Sequence, residues 1–239
     1  MNTAEVLKEA LEVLRRGGVI LYPTDTVWGI GCDATDPEAV ARVYEIKRRS
    51  EAKSLVLLAS DLDMVARYVR QIPNIAIDLV EVNDRPMTLI YPDAIAGKRP
   101  EAGGTSPDAA SLSRSETRMD VAASGACPPA AQSPASGVRP KADRHLLAWN
   151  TVAEDGSVGI RIPLPGFWRD LVARLGRPLV STSANISGEP TPKRFSEISE
   201  EIRRAVDYCV PAPLERESTG SASQIIKVGL GGEVEIIRA

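Results

Sequence analysis

A chain of 239 residues, 43% of them hydrophobic, has the length and composition of one large globular domain or two small ones with a buried core. Its formal net charge of −3 argues against a protein whose main task is to coat nucleic acid, and three well-separated cysteines argue against a disulfide framework or a zinc site. The single histidine, His145, lies beside a low-complexity segment, which disfavours a Ser-His-Asp triad or a two-histidine metal site, and the lack of a signal sequence or a membrane-length apolar run predicts a reduced, cytoplasmic protein.

The first part of the chain is predicted to alternate between helices and strands. Apolar residues recur at helical spacing after Thr3, which is predicted to cap a helix that ends at Gly17. Asp36 followed by Pro37 predicts a second helix to about Arg48, since proline is favoured at the first helical position. Two more helices are expected, one from Ser60 or Asp61 and one over 75–82. Strands are expected over 19–22, 55–58 and 87–91, and the all-apolar strand at 55–58 is of the kind buried on both faces.

The composition changes abruptly near residue 94. From Ala94 to about residue 146 the sequence is rich in Ala, Ser, Pro and Gly and has few large apolar residues. Such a segment cannot bury enough surface to offset the entropy lost on ordering, so we predict a low-complexity, disordered insert in one domain that spans residues 1–239. After it we expect further strands and helices, including a Ser196-capped helix, over 157–162, 165–175, 178–180, 196–205, 207–210, 224–228 and 233–237.

A polar loop follows the first predicted strand. In Tyr22-Pro23-Thr24-Asp25-Thr26-Val27-Trp28-Gly29-Ile30-Gly31, proline ends the strand, two threonines offer hydroxyl groups and two glycines allow a ligand to approach the backbone. A plain turn between two strands, with Trp28 in the core, is the alternative. The Thr-x-Thr and Gly-x-Gly spacing favours a binding loop, because it is more specialised than a turn requires.

A second polar segment follows the short apolar strand at 178–180. Ser181-Thr182-Ser183-Ala184-Asn185-Ile186-Ser187-Gly188 places four hydroxyl groups and one carboxamide within seven residues. These groups offer hydrogen-bond donors without charge, which suits a polyanion whose charge is met elsewhere. Ordinary loop composition is the alternative.

Positive charge is concentrated in Lys47-Arg48-Arg49-Ser50-Glu51-Ala52-Lys53, where four cations occur in seven residues at a predicted helix C-terminus. The helix dipole alone favours basic residues there, but four exceed that need and would match a triphosphate. Arg161, at the end of a buried strand, is expected to have an anionic partner. The chain contains no Walker A sequence, and Gly229-Leu230-Gly231-Gly232 lacks the context of a dinucleotide fingerprint.

The segments that begin at Tyr22, Lys47 and Ser181 resemble, in this order, motifs of the YrdC-like family, the threonylcarbamoyl-AMP synthases. The resemblance covers essentially the whole chain apart from the insert and is with the short, single-domain form. It implies an α/β fold, a single domain in which a twisted mixed sheet flanked by helices surrounds a large basic cavity. The implied reaction joins L-threonine, bicarbonate or CO2 and ATP into threonylcarbamoyl-adenylate and pyrophosphate, for the N6-threonylcarbamoyl modification of adenosine at position 37 of tRNA.

The resemblance also implies roles for individual residues. Contacts with threonine are implied for Thr26, Arg161, Ser181 and Ser223, with Arg161 on the carboxylate. Contacts with ATP are implied for Arg49, Lys53, Ser157, Ser183, Asn185, Thr191 and Arg238. The Lys47-x-Arg49 motif is implied to be catalytic. Mg²⁺ would be carried in with ATP, and no metal bound by the protein alone is expected.

The implied partners are L-threonine, bicarbonate or CO2, ATP, downstream tRNA threonylcarbamoyl-transfer proteins and a weak contact with tRNA, with no membrane. The sequence departs from the family pattern at 84–87, where Pro-Gly-Pro is usual, at Gln224, where threonine is usual, and in lacking a histidine after the strand at 55–58. Two other classes stay open. One is an RNA-binding or ribosome-associated factor that uses the same basic cleft, and the other is a carbamoyl-transfer module of the hydrogenase-maturation type, whose zinc-finger and acylphosphatase-like regions have no counterpart here.

Overall fold

The computed structural model describes residues 2–50, 55–100 and 146–239, and nine strands in these ranges form one mixed, twisted sheet. The strands are β1 (Ile20–Pro23), β2 (Trp28–Gly31), β3 (Val56–Leu58), β4 (Met87–Tyr91), β5 (Val158–Arg161), β6 (Leu179–Ser183), β7 (Tyr208–Cys209), β8 (Gln224–Val228) and β9 (Val234–Arg238). Their order is β7-β1-β2-β6-β3-β5-β4-β8-β9, so the sheet stays open, with β7 and β9 at its edges. Neighbouring strands are antiparallel except in the β1–β7, β3–β5 and β4–β8 pairs.

Six α-helices occur in the described ranges and flank the sheet. They are α1 (Thr3–Arg15), α2 (Pro37–Ile46), α3 (Leu62–Ala66), α4 (Asn74–Val82), α5 (Phe167–Leu175) and α6 (Glu200–Ala205). Three 3₁₀ turns accompany them, at Trp149–Thr151, Phe195–Glu197 and Ala212–Glu217. Helix α1 packs against α5, and Arg15 Nη2 donates to Arg174 O at 3.1 Å. The predicted α/β class, a mixed sheet flanked by helices, is confirmed.

Helix α2 begins as the sequence predicts. The side chain of Asp36 accepts hydrogen bonds from Glu38 N at 3.0 Å and Ala39 N at 3.1 Å, and Pro37 occupies the first turn. The helix ends at Ile46, before the predicted Arg48, because the chain turns sharply at Arg48, whose φ is 49°.

Two other predicted caps are wrong. The cap of α1 is Asn2 rather than Thr3, because Asn2 has an extended backbone and its Oδ1 accepts from the main-chain N–H two residues later at 3.1 Å. The cap of α6 is Ser199 rather than Ser196, because Ser196 already lies within the preceding 3₁₀ turn. Both elements nevertheless lie close to the positions that the apolar spacing predicts.

Strand β2 is the strand that the sequence analysis missed, because its Trp-Gly-Ile-Gly sequence is unfavourable for an extended strand. All of its residues are buried between β1 and β6. A Cβ atom on Gly31 would lie 2.4 Å from Val180 O and 2.7 Å from the ring of Tyr22. Glycine is therefore required here for three strands to approach one another.

The junction with the predicted insert is ordered on both sides. Ile95 N donates to Tyr68 O at 2.8 Å, and Gly97 N donates to Leu147 O at 2.8 Å. Residues 94–97 therefore bond to the folded domain, although the sequence analysis placed them in the insert; residues 101–145 of that segment lie outside the described ranges. Within the described ranges no helix combines the length and apolar character needed to cross a membrane.

Candidate active site

A cavity of about 300 Å³ opens at the ends of β2, β3, β5, β6 and β8. Within the described ranges its lining combines hydroxyl-bearing side chains with three arginines and contains no carboxylate. Its lining residues are Thr24, Thr26, Val27, Trp28, Gly29, Arg49, Leu55, Val56, Arg161, Ser181, Thr182, Ser183, Thr191, Ala222, Ser223, Ile225 and Arg238. Such a lining suits an anion that also needs many neutral hydrogen bonds.

The loop between β1 and β2 is shaped by one threonine side chain. Thr24 Oγ1 accepts hydrogen bonds from Thr26 N at 3.1 Å and Val27 N at 3.3 Å, and it donates to Val27 O at 2.8 Å. The two threonine hydroxyl oxygens lie 2.8 Å apart. Thr24 therefore closes the loop and fixes the Thr26 hydroxyl at the cavity.

Arg161, the last residue of β5, has the anionic partner that the sequence predicts. Its Nη1 donates to Asp25 Oδ1, and the two side chains are only 4% and 1% exposed. The other oxygen of Asp25 accepts from Leu164 N at 3.1 Å. Arg161 Nε has no hydrogen-bond partner within the described residues. The guanidinium is thus held in place at the cavity.

Lys47 fixes the turn that follows β6. Lys47 is only 2% exposed, and its ammonium donates to Ser183 O, to Asn185 O at 2.7 Å and to Asn185 Oδ1 at 3.4 Å. Lys47 O accepts from Ser187 N at 2.9 Å. Burial, and secondarily the charge of Arg49, lowers the pKa of Lys47 to about 8. Ser183 Oγ also donates to Asn185 Oδ1 at 2.5 Å. Lys47 therefore organises one wall of the cavity from behind.

At another wall of the cavity, Ser223 contacts both β4 and β9. Its hydroxyl oxygen lies 2.8 Å from Thr88 Oγ1, and its main-chain carbonyl accepts from Arg238 Nε at 2.9 Å and Nη2 at 2.6 Å. Arg238 comes from the edge strand β9 and reaches the cavity through these contacts. Strand β9 thus contributes a cation to the site.

Eight residues with predicted roles line this one cavity, namely Thr26, Arg49, Arg161, Ser181, Ser183, Thr191, Ser223 and Arg238. Lys47 and Asn185 are not lining residues, because their side chains bond to each other and to main-chain groups. Ser157 is held elsewhere, since its Oγ donates to Asp155 Oδ1 at 2.6 Å. Lys53 lies outside the described residues.

Sequence reasoning missed several residues of the site. Asp25 carries no predicted role, although it lies in the Thr-x-Thr loop and Arg161 was expected to have an anionic partner; together these signals could have identified it. Trp28 was considered as a core residue, and it is both fully buried and part of the lining. Ile225 gave no signal, because an apolar strand residue that faces a ligand looks like any core residue.

The electrostatics of the cavity depend on three arginines. Asp25 offsets the charge of Arg161, and Arg49 and Arg238 bring two further guanidinium groups to the lining. No group of three or more His, Cys, Asp or Glu side chains that could hold a metal ion occurs in the described ranges. The arrangement can bind an anionic ligand, orient it through hydroxyl groups and stabilise developing negative charge.

Comparison with known proteins identifies related sequences over nearly the whole chain. A family model named Sua5_yciO_yrdC and described as "Telomere recombination" matches residues 12–110 and 127–239. A threonylcarbamoyl-AMP synthase of Xanthomonas euvesicatoria pv. vesicatoria is 29% identical over 232 residues, which cover 97% of this chain and 96% of that protein. One of Xanthomonas oryzae pv. oryzae is 31% identical over 204 residues, covering 85% of this chain and 84% of that protein.

Solved structures share the fold. Sua5 from P. abyssi, determined in complex with L-threonine, has a TM-score of 0.64 at 22% identity over 95% of this chain, and this chain spans 52% of its length. E. coli YciO has a TM-score of 0.62 at 19% identity, and the match covers 99% of this chain and 89% of the YciO chain. The structural matches show that the fold is shared, and the family model shows the evolutionary relationship.

Proposed function

Since this chain belongs to the Sua5/YciO/YrdC family, we propose that it is a threonylcarbamoyl-AMP synthase that joins L-threonine, bicarbonate or CO2 and ATP into threonylcarbamoyl-adenylate and pyrophosphate. Relatives that match it over almost their full length carry this name. The observation that carries the proposal is the single cavity in which two hydroxyl-rich segments and three arginines meet. The product would pass to downstream tRNA threonylcarbamoyl-transfer proteins.

Threonine would occupy the part of the cavity beside Arg161. Its carboxylate would accept from the guanidinium, which Asp25 holds in a fixed orientation. The hydroxyl groups of Thr26, Ser181 and Ser223 would orient the amine and the side chain of the substrate. The proposal that threonine is a substrate is supported by the structure of P. abyssi Sua5, which is a complex with L-threonine.

ATP would occupy the part of the cavity between Arg49 and Arg238. These cations would meet the phosphates, with Lys53 from the same basic run, and Mg²⁺ would arrive with the nucleotide as part of the substrate. Ser183 and Thr191 would contact the nucleotide directly. Asn185 would act through the turn that it shares with Ser183, since its side chain is engaged there.

The proposed chemistry needs placement and charge neutralisation more than a protein base. The threonine amine adds to CO2 with release of a proton to solvent, or to bicarbonate with loss of water, and forms a carbamate. A carbamate oxygen then bonds to the α-phosphorus of ATP while the bond to pyrophosphate breaks. The arginines would stabilise the charge on the transferring phosphate, and the ordered hydroxyl groups would hold the two substrates in line. Lys47 would contribute by fixing the Ser183–Asn185 turn.

Pyrophosphate release tests the proposal directly. The assay supplies ATP with and without L-threonine and with and without bicarbonate. Release that requires both additions is the expected result. Release that requires neither, or none at all from folded protein, would overturn the proposal and leave the RNA-binding alternative, which predicts salt-sensitive RNA binding without threonine.

A further inference from the structure

Glu215, which lies outside the cavity lining, joins two of its walls. It belongs to the 3₁₀ turn Ala212–Glu217. One oxygen, Oε2, accepts a hydrogen bond from Trp28 Nε1 at 2.5 Å and another from Phe195 N at 2.8 Å. Both donors are therefore bound to the same atom of a single carboxylate.

The two donors belong to different parts of the site. Trp28 is the first residue of β2, is fully buried and lines the cavity, and its ring lies 5.1 Å from that of Phe195. Phe195 begins the 3₁₀ turn that ends the loop after β6, and this loop carries the lining residue Thr191. At the start of the same loop, Asn185 Nδ2 donates to Glu189 O at 2.6 Å. Thr191 thus lies between two anchored points.

The 3₁₀ turn that contains Glu215 leads directly into a third wall of the cavity. Directly after its turn, Ser218 Oγ donates to Thr24 O, Thr219 N donates to Asp25 O at 2.9 Å and Gly220 N donates to Thr26 O at 2.7 Å. Residues 218–220 thus run alongside the Thr24–Thr26 loop, and the chain then continues to the lining residue Ser223. The 3₁₀ turn of Glu215 therefore stands where three segments of the cavity converge.

We propose that Glu215 is a positioning residue that fixes the nucleotide side of the cavity through Trp28 and the Thr191 loop. The inference rests on the proposed function, because it takes the ligand near Thr191 to be ATP. A hydrogen bond that served stability alone would leave ligand affinity unchanged when it is lost. A positioning residue changes the affinity for the ligand whose wall it holds, because misplaced binding groups lose contact geometry.

The chemistry of the contact supplies a conservative variant. Because Oε2 accepts both hydrogen bonds, the amide oxygen of Glu215→Gln can replace it, whereas Glu215→Ala removes both. Glu200→Ala is the matched control, since Glu200 forms an exposed pair with Arg204 one helical turn away and does not reach the cavity. Glu215→Asp is a second disruptive variant, because the shorter side chain cannot reach both donors.

The test measures ATP binding by calorimetry, KM for ATP and for L-threonine, and the indole N–H resonances by NMR. For Glu215→Ala we expect KM and Kd for ATP to rise about tenfold, with a smaller change in KM for threonine. The indole resonance of Trp28, assigned by its loss in Trp28→Phe, should move further in Glu215→Ala, which lacks the acceptor, than in Glu215→Gln, which keeps a neutral one. Glu215→Gln should bind ATP within about threefold of wild type. Glu200→Ala should match wild type.

Unchanged ATP affinity in Glu215→Ala, or equal damage in Glu215→Gln and Glu215→Ala, would overturn the inference. If Glu215→Ala does not fold, Glu215→Asp and Glu215→Gln provide the same comparison. Wild-type protein that neither binds ATP nor releases pyrophosphate would instead overturn the proposed function, and this result is obtained before any variant is compared.

Discussion

Asp25 and Arg161, which are 136 residues apart in the sequence, form an almost completely buried ion pair beside the cavity. Asp25 also accepts from Leu164 N and so joins the first polar loop to the chain that follows β5. A buried guanidinium needs such a partner, because removal of an ion from water is costly when its charge is not compensated. The pair therefore leaves neither charge buried without a counterion and fixes Arg161 beside the cavity.

Asp25→Asn should destabilise the protein by about 3–5 kcal/mol, because it leaves the charge of Arg161 buried without a counterion. The double variant Asp25→Asn/Arg161→Met should recover part of this loss, since it removes the second charge as well. Urea unfolding of the three proteins measures the effect. A double variant less stable than Asp25→Asn would contradict the ion-pair argument.

Arg49→Gln should lower kcat/KM for ATP. The expected loss corresponds to about 1.5–3 kcal/mol of transition-state stabilisation, the range for hydrogen bonds to charged groups. Its neighbour gives a matched control, because Arg48 forms an exposed ion pair with Glu201 and is not a lining residue. Arg48→Gln should therefore retain wild-type kinetics. Steady-state pyrophosphate release separates the two, and equal losses in both would indicate general charge rather than a specific phosphate contact.

Lys47 should make stability depend on pH in a defined direction. Its pKa falls from 10.5 to about 8 in the folded protein, chiefly through burial, so between these values the unfolded chain binds more protons. Stability should therefore rise with pH across this window relative to Lys47→Met, which does not titrate. Urea unfolding of both proteins at several pH values provides the difference, and a difference that stays constant would refute the burial of a charged amine.

The two glycines of β2 should respond differently to a methyl group. Gly31→Ala should cost about 1–3 kcal/mol of stability, because its Cβ would lie 2.4 Å from Val180 O. Gly29→Ala should have little effect on stability, because its Cβ would approach Thr182 O at 3.4 Å and Ser181 Oγ at 3.5 Å, which are ordinary contacts. Thermal unfolding tests this contrast. Similar melting temperatures for the two variants would show that β2 can shift away from β6.

Much of the fold could be predicted from local signals. The Asp36–Pro37 start of α2, the strand β4 and the polar segment 181–188, whose first three residues end β6, follow from propensity, apolar spacing and composition. Strand β2 could not be predicted in this way, because Gly31 is required by the close approach of Tyr22 and Val180, which lie on other strands. Such a requirement exists only once the sheet is assembled.

The site divides along the same line. Hydroxyl-rich and basic segments indicated most of the lining, because groups that contact a ligand directly carry their chemistry in their residue type. The roles of Lys47 and Glu215 depend on what their side chains reach. A lysine in a basic run looks like a surface residue, yet Lys47 is buried. A glutamate before a Ser-Thr-Gly loop gives no sign that it contacts Trp28 from β2.

The strand order has a consequence for how the chain is made. Strand β6 lies between β2 and β3, and β5 lies between β3 and β4, so the first four strands cannot form a continuous sheet among themselves. A ribosome that has delivered residues up to 100 has released a chain whose β3 and β4 edges are still unpaired and whose Asp25 has no Arg161. The cavity and its buried charges can therefore form only late in synthesis, after β5, β6 and β8 have been made.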